Sequence, residues 1–236
     1  MESCGRADID HDGDLDFVIG NAGTNLPWHA SKQEPLTLYY GDFNGDGRID
    51  PIICNYIQGK SYPVASRDEM LLQMNSLRKK YITYSSYAKA SLEDMVGIEA
   101  VKTSAKFEIN TLQSSILENL GAGNFKLKAL PMAAQFSSVR GVLIDDFNGD
   151  NFTDLLLAGN FFPFRTQYGP CDAAKGLLLR GKEKAGFTSV GWEDTGFYAD
   201  GDVRNMALLN SKNGKRYIVV ARNNESVMVF ELDKSI

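Results

Sequence analysis

Three nine-residue stretches, DIDHDGDLD at 8–16, DFNGDGRID at 42–50 and DFNGDNFTD at 146–154, constrain this chain more than any other feature. Each crowds carboxylates into one tight turn, where their mutual repulsion opposes folding unless something offsets it. Counted from the first Asp, positions 1, 3, 5 and 9 are Asp8, Asp10, Asp12 and Asp16 in the first copy. They are Asp42, Asn44, Asp46 and Asp50 in the second, and Asp146, Asn148, Asp150 and Asp154 in the third. Oxygen side chains at alternate positions of a turn converge on one point, and the position-7 carbonyl (Asp14, Arg48, Phe152) adds another hard oxygen. This is the donor set of a Ca²⁺ loop; Mg²⁺, which insists on octahedral geometry and keeps its waters, suits it less well. Position 6 is Gly13, Gly47 or Asn151, residue types that tolerate a left-handed backbone. One copy alone would equally fit an Asx-rich surface turn without metal. Recurrence at the same spacing favours calcium at up to three sites, the third loop being the weakest because Asn replaces Gly.

The flanks exclude an EF-hand, which needs a Glu at position 12 and helices on both sides. Position 12 is Ile19, Ile53 or Leu157, and each loop runs into a short apolar stretch closed by Asn: FVIGN, PIICN and LLLAGN. Such runs read as buried strands, so each loop joins two strands of a hairpin. After the third loop, further strands follow at Gly176–Arg180 and 186–190; the pair 114–121 and 124–127 mirrors that second hairpin. A four-stranded unit that recurs cannot bury both its faces alone, which predicts a mainly β fold of propeller blades, a partial ring or segment, with a helical insertion.

The expected division is an incomplete first blade at 1–35, a second blade at 36–130 with an insertion at about 61–113, a third at 131–193 and a degenerate blade at 194–236. The first blade is expected to lack a leading strand, because only seven residues precede its loop, leaving a truncated piece or a ring completed by other blades. In the last blade strands are expected at 203–209, 217–222 and 227–232, but the turn NSKNGK at 210–215 has no carboxylate and no metal is expected there. In the insertion, Ser66 and Glu69 form a capping box and Met70, Met74, Leu77 and Tyr81 follow at helical spacing; Ser91 and Asp94 start a second, shorter helix. The apolar stripe reads as packing against the propeller rim, with a partner surface as the alternative.

The formal charge of −5 over 236 residues, concentrated as acid in the loops, excludes a nucleic-acid surface, and no apolar run reaches the length of a membrane span. Met1-Glu2-Ser3-Cys4-Gly5 lacks the pattern of an export signal. Cys4, Cys54 and Cys171 form no CxxC; Cys54 reads as a core residue, and a Cys4–Cys171 bridge stays open. GLLLRGK at 176–182 matches the opening of a phosphate-binding loop, but Glu183 stands where Ser or Thr is required and the apolar middle reads as strand.

On the loops and their strands the chain resembles the FG-GAP/VCBS repeat family, found in integrin α-chain propellers and many secreted bacterial proteins. The stretches DLDFVIGNAGTN, YPVASRDEML, LENLGAGNFKLKALP and VVARNNE are similar to the C-terminal part of large Bacteroidetes VCBS-repeat proteins related to cartilage acidic protein, of ASPIC/UnbV type. The resemblance implies a calcium-dependent propeller outside the cytoplasm, secreted, periplasmic or at the cell surface, serving as a binding or structural module rather than an enzyme. Its implied partners are an extracellular protein or glycan and, for ring closure, further blades. Trp28, Trp192, Phe161, Phe162, Phe164, Tyr168 and Tyr198 could form the contact surface or fill the core. The alternative is the propeller part of a polysaccharide hydrolase or lyase. No Asp/Glu pair stands out beyond the loops, however, and His11 and His29 are the only histidines, without HExxH or GxSxG. No catalytic residue is therefore assigned, and His11 reads as a surface side chain.

Overall fold

The structure, a computed structural model, describes residues 2–183 and 186–233. Along the chain lie β1 (Ser3–Ala7), β2 (Asp16–Gly20), β3 (Leu36–Gly41), β4 (Asp50–Ile57) and β5 (Lys60–Pro63). Helices α1 (Arg67–Gln73), α2 (Tyr84–Ala88), α3 (Leu92–Val96) and α4 (Ile98–Thr103) precede β6 (Ala105–Ile109), β7 (Ser115–Asn119) and β8 (Phe125–Ala129). Then come β9 (Val139–Asp145), β10 (Asp154–Gly159), β11 (Leu177–Lys182), β12 (Gly186–Gly191) and α5 (Trp192–Thr195). The last strands are β13 (Val203–Asn210), β14 (Arg216–Arg222) and β15 (Met228–Leu232).

Among the described residues these strands make four antiparallel sheets and no closed barrel: β1-β2-β7-β8, β5-β4-β3-β6, β12-β11-β10-β9 and β13-β14-β15. The chain divides into two units, one of residues 26–112 and one of 1–25 with 113–236. Two expectations are corrected. Ser3–Ala7 does form a leading strand, pairing Ala7 with Asp16 across the first loop, so the first sheet is complete. The strands expected to finish the second sheet, β7 and β8, instead extend the first, with Phe17 opposite Leu117 and Ile19 opposite Ser115.

The reason is local. Gln58 (φ 51°) and Gly59 (φ 78°) form a two-residue turn of the kind that suits a right-twisted hairpin, so β4 pairs at once with β5. A neighbour in sequence closes with far less loss of chain entropy than a strand some sixty residues on. The free edge of β3 is taken by β6, with Leu38 opposite Phe107. Residues 26–112 are thus an insertion between β2 and β7, rather than the second blade with an insertion of its own.

In the inserted unit the expected apolar stripe is core: Met70, Met74, Leu77 and Tyr81 are all buried, in one cluster with Ile52 and Cys54 of β4. They pack on the unit's own sheet. The single expected helix is α1 followed by a 3₁₀ turn over Asn75–Lys79, because the backbone at Met74 (φ −124°, ψ 85°) leaves the helical region. Both capping boxes form, Ser66 with Glu69 and Ser91 with Asp94.

In the other unit every residue of β10 is buried, which accounts for its unbroken apolar sequence. Leu155 and Leu157 face Val18 and Ile116 of the first sheet, whereas Leu156 and Ala158 face Val203, Met206 and Ile218 of the fourth. The third sheet is therefore covered on both faces by sheets. β9 lies against both β1 and β13. Glycine eases the close approach: a Cβ on Gly5 would stand 2.7 Å from the Ile144 Cδ1 and one on Gly141 2.7 Å from the Met206 Cγ, so those side chains would have to shift, and one on Gly20 would stand 2.2 Å from the Val139 carbonyl oxygen.

The asparagines that close the apolar runs act as clamps. Asn160 is fully buried; its amide donates to the carbonyls of Ala174 (3.0 Å) and Gly201 (2.9 Å), and its Oδ1 accepts from the Ala174 N–H (3.0 Å). The Asn21 carbonyl accepts from the Val139 N–H at 3.0 Å. These bonds tie the first sheet to the third and the third to the fourth.

Candidate metal centre

All three acidic loops join two antiparallel strands as expected, β1 to β2, β3 to β4 and β9 to β10. Their internal bonding repeats. The position-1 carboxylate gathers the N–H groups of the turn: Asp42 accepts from Gly45 (2.7 Å), Asp46 (3.2 Å) and Gly47 (2.8 Å). Asp146 accepts from Gly149 (2.7 Å), Asp150 (3.2 Å) and Asn151 (2.9 Å), and Asp8 from Asp12 and Gly13 (both 3.1 Å). The position-9 carboxylate is buried and locks the turn to its surroundings. Asp16 accepts from Ile9 (3.1 Å) and Asn119 (2.8 Å), Asp50 from Phe43 (3.1 Å) and the Gln73 amide (3.1 Å), and Asp154 from Phe147 (3.1 Å) and Gly181 (2.7 Å).

Position 6 has the expected left-handed backbone, with φ 95° at Gly13, 81° at Gly47 and 68° at Asn151. Two further positions carry information that the sequence reading passed over. Position 4 is left-handed as well, at Gly45 (φ 74°), Gly149 (φ 80°) and His11 (φ 62°), which explains the recurring Gly and places His11 outward in solvent. Position 2 is an apolar anchor: Ile9 and Phe147 are buried and Phe43 packs on the core of the inserted unit. The signal was the recurrent Ile or Phe after the first Asp.

The loops differ at position 3. Asn44 donates its amide to the Asp46 carboxylate (3.3 Å) and Asn148 to that of Asp150 (2.9 Å), so these two turns satisfy themselves. Asp10 has no hydrogen to give. Its Oδ1 is buried without a hydrogen-bond partner, and ligand oxygens of Asp8, Asp10 and Asp16 lie within 4.8 Å of one another, the one such acidic cluster among the described residues. Burial, then the neighbouring Asp12 and Asp16 charges, push the Asp10 carboxyl above the usual carboxylate range. At Asp42 the opposite holds, with the backbone N–H of Gly47 foremost in lowering it. For Asp146 burial is the largest influence and raises the value, but the surrounding N–H groups outweigh it and the net shift is downward. Burial raises Asp154 against the two N–H groups that it accepts.

The structure therefore brings three of the expected ligands together, Asp8, Asp10 and Asp16. Asp12, Asp46 and Asp150 turn one oxygen to the N–H of position 7, at 2.9 Å from Asp14, Arg48 and Phe152 respectively. The first loop fits a hard divalent cation: an orphaned buried carboxylate oxygen beside two others is a strong acceptor site that nothing among the described residues satisfies.

Away from the loops, all three cysteines are free, so Cys4 and Cys171 are not bridged. Cys54 is a core residue whose thiol is pushed up to about 12 by burial. The segment that looks like a phosphate-binding loop is strand β11. No helix among the described residues is long and apolar enough to cross a membrane. Phe162, Tyr168, Trp192 and Tyr198 are exposed; Phe161, Phe164 and Trp28 are half-buried, and the Phe164 ring meets Phe161 edge-on and Tyr168 at a tilt, with ring centroids 6.4 and 5.9 Å apart.

Fold and site together define a mainly β chain of antiparallel sheets with one convergent carboxylate centre at a hairpin turn. No family model, curated protein or solved structure matches the chain.

Proposed function

We propose that this chain is a calcium-stabilised, non-catalytic binding module of an exported protein, with its sheets arranged as propeller blades. The observation that carries the proposal is the Asp8, Asp10 and Asp16 cluster with its orphaned Asp10 oxygen. Calcium there offsets carboxylate repulsion and fixes the turn between β1 and β2, so that its binding energy adds to folding stability. The Asp8 and Asp16 carboxylates would hold the ion with Asp10, each retaining the N–H contacts that orient it. The second and third loops are secondary sites, in which the Asn amide must turn to present its oxygen.

The blade reading is supported by β9 lying against β1 and β13, which brings the first strands of three sheets side by side, as they are near a propeller axis. Export and an extracellular protein or glycan as partner come from the resemblance to FG-GAP/VCBS repeats. Exposed Phe162 and Tyr168 support a contact surface, since such rings are enriched at interfaces.

Thermal melting in calcium chloride and in chelator tests this reading. A higher melting temperature in calcium, absent in magnesium at the same concentration, is expected. Identical curves in all three conditions remove it.

A further inference from the structure

Where the first strands of three sheets begin, a cavity of about 260 Å³ lies between β1, β9 and β13. Its lining is mostly polar: Ser3 comes from β1, Arg140 from β9, and Arg204 and Asn205 from β13, with Glu2 just before β1. The acidic loops follow the far ends of β1 and β9, about 13–17 Å along the strands, beyond the roughly 8 Å over which charge acts at physiological salt. Two arginines against one glutamate leave the lining positive in a chain of formal charge −5.

Both guanidiniums are held in place and incompletely used. Asp202, 1% exposed, accepts from the Arg204 Nη2 at 2.7 Å, and the other N–H groups of Arg204 have no acceptor among the described residues. The Arg140 guanidinium lies over the Phe161 ring, 4.8 Å from its centroid, and its Nη2 meets the Glu2 carboxylate at 2.8 Å. The Nε–H on the same edge is buried without a partner. A carboxylate set square to that edge takes both N–H groups, whereas Glu2 takes one. A buried donor of a charged group is costly to leave unpaired, so the edge is incomplete until a second oxygen reaches it. In the same lining, the Asn205 Oδ1 accepts from the Met206 N–H (2.8 Å), and its amide hydrogens have no acceptor among the described residues.

We infer that this cavity binds an acidic sugar, its carboxylate or sulfate held by Arg140 and Arg204 in place of Glu2 and its hydroxyls by Ser3 and Asn205. The chemistry excludes the neighbouring classes. A metal cation would meet two fixed positive charges, and an apolar ligand would leave the arginine donors unsatisfied. The volume lies below the roughly 300 Å³ at which drug-sized ligand pockets begin, which suits a single sugar unit. The inference narrows the glycan partner proposed above to acidic ones; it rests on that reading for the origin of the ligand and takes nothing from the calcium site.

Glucuronate and glucose 6-sulfate are the probes, titrated calorimetrically into the native chain at fixed ionic strength, with glucose and inorganic sulfate as comparisons. Saturable heat with at least one acidic sugar is expected, with a Kd of about 1 mM or below, which is what a ligand of this size attains, and the tighter of the two tells carboxylate from sulfate. Glucose should give no saturable heat. Arg204→Gln should weaken binding about tenfold or more, because a charge-assisted pair is lost. Glu2→Gln should tighten it about threefold or more, since the competing carboxylate is gone, a gain that damage to the fold does not produce. Both side chains are part-exposed, and unchanged melting curves show that the variants are folded. No saturable heat with either acidic sugar overturns the inference, as does glucose binding equally well or sulfate alone binding. Arg204→Gln without effect, or Glu2→Gln that fails to tighten binding, overturns it too. Capture of a neutral polysaccharide with no heat from the acidic sugars would overturn it while leaving the glycan partner standing.

Discussion

Replacing Asp10 by Asn should stabilise the protein in chelator and destabilise it in calcium, a reversal of sign that structural damage alone does not produce. The ligand oxygens of Asp8, Asp10 and Asp16 lie within 4.8 Å of one another. At an effective dielectric constant of about 20, two unit charges at such a distance repel by about 3.5 kcal/mol. Asp10 is only half-buried, and solvent screening reduces its share to about 1 kcal/mol, which the variant should recover in chelator. An amide at position 3 can also donate to Asp12, as Asn44 and Asn148 do to their position-5 partners. In calcium the native chain gains about 2.7 kcal/mol at a hundredfold excess over Kd, a condition met near 10 mM for a site of about 0.1 mM affinity. For a chain of this length that is a rise of about 5–10 °C, of which the variant should show only a small part. Melting curves of both proteins in both conditions, followed by circular dichroism, supply the four values. If Asp10→Asn is destabilised equally with and without calcium, Asp10 is a structural residue of the turn and the reasoning fails.

Three other outcomes follow from the packing and the backbone. Asn160→Ala should lower stability by about 3 kcal/mol in urea titration, because it leaves buried backbone groups of Ala174 and Gly201 without partners; a loss below about 0.5 kcal/mol would contradict the clamp. His11→Gly should raise stability by about 0.5 kcal/mol in the same assay, since a left-handed backbone strains His, although glycine's freedom in the unfolded chain limits the gain. With a thiol reagent at pH 8, exposed Cys4 should react first. Cys54 should stay unreacted until the chain unfolds, because its raised pKa of about 12 leaves little thiolate and its burial blocks access. All three cysteines should titrate in denaturant, and a count of one would indicate a bridge.

What the sequence made legible was local. A nine-residue turn specifies its own hairpin, so β9 with β10 and β3 with β4 fall close to their expected bounds, and the apolar run of β10 marks a strand buried on both faces. The membership of each sheet was not legible, because the partner of β2 lies beyond residue 112 and the hairpin of β7 and β8 looks equally suited to either sheet. Gln58-Gly59 was the deciding signal, and it is weak as text because Gln seldom takes a positive φ. The helix start at Ser66 was readable from its capping box, whereas its break at Met74 was not, since the apolar spacing continues through the 3₁₀ turn. At the candidate centre the spacing gave the ligand types and the turn geometry. The difference between Asp10 and the two asparagines became decisive only once the hydrogen bonds showed which oxygen has no partner.

Crystals grown in calcium chloride and measured for anomalous scattering examine the centre itself. The account predicts a peak between Asp8, Asp10 and Asp16, with their oxygens about 2.3–2.6 Å away. A map with only water, or no density, between those three carboxylates in abundant calcium would contradict it.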